Sequence, residues 1–144
     1  MSDRFFVDTN PLVYARDSSE AKKQPLAARW MRYLWQSRKG RLSFQVLQEY
    51  YVTVAGKLVP GLTIQEARAE VRSLLAWKPV APDPSLLEVA WVLQDRHSIS
   101  WWDALIVAAA ARTSCPVPLS EDLQEGCDYD GVVVANPFRL APPD

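Results

Sequence analysis

Four stretches of the chain place a carboxylate where it could do chemistry. Asp8 ends the apolar run FFVD and is followed at once by Thr9, Asn10 and Pro11. Ser120, Glu121 and Asp122 form a polar loop behind the short apolar segment Pro116 to Leu119. Asp103 lies in SWWDALIVAAAA, and Glu49 in QVLQEYYVTVAGK. Each also has an ordinary structural explanation. Asp8 can close a turn, and Asn10 can cap a helix whose first residue is Pro11. Asp103 can complement the positive end of a helix capped by Ser100, and Glu49 can be a solvated glutamate.

The rest of the sequence excludes other catalytic sets. The single histidine, His97, sits in a charged helix end without a GxSxG elbow, and reads as a surface imidazole. Five glycines form neither a GxxxxGK nor a GxGxxG pattern, so there is no phosphate cradle or dinucleotide fingerprint. Cys115 and Cys127 have no metal-ligand or redox spacing and predict free thiols in a reducing cytoplasm. Any enzyme chemistry therefore falls to carboxylates. Carboxylates gathered at one rim repel each other unless a cation joins them, and an all-oxygen donor set suits Mg²⁺ or Mn²⁺ rather than zinc or copper.

The elements that must position these acids alternate between strand and helix patterns. Arg4 to Val7, Leu42 to Phe44, Pro116 to Leu119 and Val132 to Val134 read as short strands. Helical periodicity covers Ala21 to Arg38, Gln45 to Leu58, Ile64 to Trp77, Ser85 to Arg96 and Trp101 to Thr113. This alternation predicts one three-layer α/β/α domain over residues 1–144, with a mostly parallel sheet, a core from about 4 to 138 and a short Pro-rich tail. In such a sheet the site lies beyond the carboxyl ends of the strands, where strand order reverses. Asp8 and the Ser120 loop share that rim if their strands are neighbours. Glu49 lies off the apolar stripe of Val46, Leu47, Tyr50, Val54 and Leu58, beside Thr53.

With 49% hydrophobic residues in 144, the chain can bury a core without disulfides or a structural metal. Its longest uncharged apolar run, Ala104 to Ala111, falls far short of the roughly 20 residues of a membrane span. No signal-peptide pattern opens the chain, so a soluble, cytoplasmic protein is expected. The net charge of -1 hides an asymmetry: residues 1–57 hold ten Lys or Arg against five Asp or Glu. Lys22, Lys23, Arg29, Arg32, Arg38, Lys39 and Arg41 make either a solvated helix face or a surface for a polyanion.

The segments FVDTN, SFQVLQEYY, WWDALIVAAA and LSEDLQEG, in that order and spacing, together resemble the PIN domain, and within it the VapC-type toxins of bacterial toxin-antitoxin pairs. The GVVVANPF ending looks like the family's last strand. The resemblance implies a PIN-like fold and a metal-dependent endoribonuclease using Mg²⁺ or Mn²⁺. Asp8, Glu49, Asp103 and Asp122 fall on the family's acidic quartet, catalytic and metal-binding, while Thr9 and Ser120 match its supporting hydroxyls. It further implies an RNA substrate, an antitoxin that covers the acidic rim and a toxin homodimer, with the basic first third holding the RNA backbone. The alternative is a PIN-like module that binds RNA or protein without catalysis. Receiver and haloacid-dehalogenase folds fit poorly, because Asn10 replaces the second aspartate of the latter and no lysine follows Lys78 for the former.

Overall fold

The computed structural model describes residues 4–115 and 117–143; Pro116, which the predicted third strand includes, lies outside them, as do residues 1–3 and 144 of the predicted domain. Among these residues three parallel strands make the central sheet: β1 (Phe5–Val7), β2 (Gly40–Arg41) and β3 (Val117–Leu119), in the order β2-β1-β3. Phe5 pairs with Gly40 and Val117, and Val7 with Leu119. Single parallel bridges continue the ladder outward, from Ser43 to Val80 on one side and from Leu119 to Ala135 on the other. The chain leaves β1 to form β2 on one flank and later returns to form β3 on the other. The carboxyl end of β1 is therefore the topological switch point where α/β sheets bind ligands.

Among the described residues six α-helices surround this sheet: α1 (Thr9–Tyr14), α2 (Lys23–Ser37), α3 (Phe44–Gly56), α4 (Ile64–Leu74), α5 (Pro84–His97) and α6 (Trp101–Arg112). Helix α1 packs on α2 and α3, α3 on α4, and α5 on α6. Phe6, Leu12, Trp30, Leu34, Val46 and Val107 fill the core between the layers. Helix α6 is buried along much of its length, since its Ala and β-branched positions let neighbouring elements approach closely. The residues after Pro137 are held on the body of the fold: the Trp30 indole N–H donates to the carbonyls of Pro137 and Leu140.

The structure moves several predicted boundaries. Phe44 is helical rather than the end of a strand, because the Ser43 hydroxyl accepts the Val46 N–H and starts α3 there. The predicted helix from Ile64 to Trp77 tightens into a 3-10 turn at Leu75–Trp77. Val132–Val133 pairs antiparallel with Asp128–Tyr129 in a separate hairpin (β5 and β4). Asp130 and Gly131 both have positive φ there, 55° and 95°, as a tight Asp-Gly hairpin turn requires. Asp8, not Asn10, is the N-cap of α1, which puts Pro11 in the third helical position rather than the first.

Candidate active site

Asp8 is the first residue after β1, buried to 8% exposure, and both of its oxygens are held. One accepts the Thr9 N–H at 2.7 Å, and the other accepts the hydroxyl of Ser120 at 2.8 Å. Ser120, itself fully buried beyond β3, also accepts the N–H groups of Asp122 and Leu123, so its hydroxyl hydrogen has one direction left, toward Asp8. The Asp8 N–H donates to the Leu119 carbonyl, which locks the two strand ends side by side. The predicted neighbours β1 and β3 thus bring Asp8 and the Ser120 loop to one rim.

Three more carboxylates join them. Glu49, on the α3 face away from the core, accepts the Thr9 hydroxyl at 2.6 Å. Asp122 accepts the Asn10 side-chain amide at 2.7 Å. Asp103 is in the first turn of α6, where its N–H donates to the capping hydroxyl of Ser100. All four acids line one cleft of about 470 Å³, with Thr9, Asn10, Gln45, Gln48, Lys57 and Trp102 among its other walls. The adjacent Glu121 turns elsewhere, accepting the Tyr14 hydroxyl at 3.0 Å and pairing with Lys23.

Electrostatics follow from this crowding. Burial pushes the Asp8 carboxyl up to about 6; the Asp122 and Glu49 charges add to the rise, while the Ser120 and Thr9 hydrogen bonds oppose it. Asp122 is also raised, first by burial and then by the charges of Glu121 and Asp103, against its bond from Asn10. Burial is the first cause in both cases, and the proximity of like charges adds to it.

The donor set fits a hard divalent cation: the four acids offer carboxylate oxygens, and no His or Cys stands among the described residues that line the cleft. Among the described residues, no three His, Cys, Asp or Glu side chains already stand grouped closely enough to hold an ion. Thr9 and Asn10 instead occupy oxygens of Glu49 and Asp122.

Asn10, expected as a helix cap, lines the cleft, as do Gln45, Gln48, Lys57 and Trp102, to which no motif in the sequence points. The signal for part of this set was present. Gln45, Gln48, Glu49, Val52 and Thr53 follow helical spacing along the side of α3 that its buried Val46, Tyr50 and Val54 leave free.

Comparison with known proteins agrees with this fold. The model of the PIN domain matches residues 5–123, which includes all four cleft acids. The crystal structure of VapC20 of Mycobacterium tuberculosis, a Sarcin-Ricin loop cleaving toxin, superposes with a TM-score of 0.59 at 20% identity, covering 82% of this chain and 89% of that one. Searched against curated proteins, the sequence finds no match. With most of its length matched by the family model, and with a parallel α/β fold shared with a VapC structure, the chain belongs to the PIN domain family.

Proposed function

We propose that this chain is a single-domain, metal-dependent endoribonuclease, acting in the cytoplasm as the toxin of a type II toxin-antitoxin pair. The observation that carries the reading is the convergence of Asp8, Glu49, Asp103 and Asp122, from four separate segments, on one cleft at the switch point of the sheet. These four residues would hold Mg²⁺ or Mn²⁺. The bound metal would supply an activated water and neutralise charge on the phosphate and the leaving oxygen.

The protein's own contribution is placement. Ser120 and the Thr9 N–H fix both Asp8 oxygens, so Asp8 needs no reorganisation to serve as an anchor. Thr9 and Asn10 orient Glu49 and Asp122. Lys57, also on the cleft wall, offers a cation to the RNA phosphate backbone.

An antitoxin whose C-terminal segment carries an arginine beside apolar residues would silence the cleft by pairing with its carboxylates. Expression beside its adjacent small gene should give a co-purifying complex, and the isolated toxin should be a homodimer. The central test is cleavage of RNA with and without chelator. Wild-type protein should cut RNA with Mg²⁺ or Mn²⁺ and lose activity in EDTA. Asp8→Asn should lower the rate at least a hundredfold, roughly the scale of removing one preorganised electrostatic group. Full activity in excess EDTA would refute the assignment.

A further inference from the structure

A second hollow, also of about 470 Å³, opens beside the acidic cleft. The two share Gln45, Gln48, Glu49 and Trp102 as a common wall. Their chemistry differs. Apart from Glu49 on the shared wall, the second hollow is lined without charge, by Val80, Pro82, Leu86, Leu105 and others. Trp102 stands between them with 63% of its surface exposed, the most exposed aromatic side chain among the exposed large hydrophobics of the described residues. Its neighbour Trp101 is instead stacked on Trp91, at 6.0 Å between centroids.

Two amides border the same hollow. Among the described residues Gln48 donates once, to the Phe44 carbonyl at 3.2 Å, and its amide oxygen accepts from none of them. Gln45 makes no side-chain hydrogen bond to the described residues. An apolar slot with an open indole face and unspent amide donors and acceptors suits a flat, uncharged ring with polar edges. Given a phosphate over the carboxylates next door, the uncharged part of the same nucleotide chain is the ligand within reach.

We propose that this hollow receives an unpaired nucleobase of the RNA next to the scissile phosphate, stacked on Trp102 and contacted at its edge by Gln45 and Gln48. This rests on the nuclease reading and adds to it a subsite: a place for one base beside the cleft, with Trp102 as its stacking face. A base in a continuous duplex cannot enter the hollow without first unpairing, so single strands and loops are preferred over duplex.

The test uses a short single-stranded RNA in which 2-aminopurine replaces adenine, its fluorescence quenched on stacking. It is bound to the full chain with Ca²⁺ in place of Mg²⁺, and Mg²⁺ cleavage is followed in parallel. Wild type should quench the probe and bind it more tightly than the same sequence in duplex. Trp102→Ala should lose the quenching and ~5- to 150-fold in affinity, the range for loss of one stacked base. Trp102→Phe should recover most of both. Because Trp102 is exposed, its melting temperature serves as the control for folding.

Equal binding and quenching by Trp102→Ala, with cleavage still dependent on Asp8, would overturn the base site and leave the nuclease standing. Quenching that depends on Trp102 without any cleavage would remove the nuclease and keep the base site. Apolar-peptide binding that depends on Trp102, with RNA binding indifferent to it, would overturn the proposal and assign the hollow to a protein partner.

Discussion

Asp8 joins two roles in one carboxylate, as the cap of α1 and as the most buried acid of the cleft. Its raised ionisation to about 6 has a consequence for stability. The unfolded chain releases this proton near pH 4, so the metal-free fold holds a proton that the unfolded state has lost. Asp8 therefore costs nothing below that value, costs progressively more as pH rises from about 4 to 6, and costs a constant amount above, roughly 3 kcal/mol from a rise of about two units. Asp8→Asn removes this charge but offers one acceptor oxygen to two donors, the Thr9 N–H and the Ser120 hydroxyl, so one of them loses its partner, which returns about 1–2 kcal/mol. In the absence of metal the variant should melt higher than wild type at pH 7.5, and the gain should vanish by pH 4.5. Thermal melts across that range check it, and a pH-independent difference would show that the Asp8 charge is not the cause. The sequence put Asp8 at a strand end but could not give this burial, which depends on Ser120 arriving from residues far along the chain.

At the scale of elements, the amphipathic helices were legible because their stripes are long enough to repeat, as in α3, where Val46, Leu47, Tyr50 and Val54 are all buried as expected. Three of the short strands were legible as well, since Phe5–Val7, Val117–Leu119 and Val132–Val133 lie within the expected runs, but β2 was not. Gly40–Arg41 has only two residues and no alternation to read, and it is a strand because it pairs with β1 and packs under Trp77. A Cβ on Gly40 would stand 2.8 Å from the Trp77 ring, and that ring is buried to 3% exposure. Trp35 packs on the same ring, 5.2 Å between centroids, so a shift would disturb that contact. Gly40→Ala should therefore destabilise the fold by about 1–3 kcal/mol, the usual cost of overpacking, and denaturant unfolding should show it as a lower midpoint with an unchanged slope. A neutral result would mean that the 3-10 turn carrying Trp77 shifts freely. Hairpin β4–β5 was missed for a different reason, because the Asp130-Gly131 turn signal was present but Asp128–Tyr129 is too short to register as a strand beside it.

For the molecule as a whole, the fold separates charges that the sequence lists together. Arg38 and Lys39 precede β2, and the Phe5 N–H donates to the Lys39 carbonyl, so this basic run stands at the amino ends of the parallel strands. The Arg41 side chain also stays at that end, donating to the carbonyls of Arg38 and Gly40. The acids stand at the opposite, carboxyl ends, roughly 13 Å of extended chain away. Helix α2 runs between the two ends, and Lys23 at its start is already paired with Glu121. The expectation that the basic first third grips RNA over the site therefore does not carry over to Arg38, Lys39 and Arg41. Under the nuclease reading, Lys57, at the end of α3 and on the wall of the acidic cleft, is the cation placed for that role. Reversing Arg38, Lys39 and Arg41 together should leave RNA affinity nearly unchanged at moderate salt, where charges that far apart are screened. Lys57→Glu alone should weaken binding and reduce the slope of log affinity against log salt by about 0.7, the share of one phosphate contact on a single strand. Salt titrations of both variants with the same RNA decide between the two surfaces: a flattened slope in the triple variant with an unchanged one in Lys57→Glu would put the RNA backbone on the far side of the sheet.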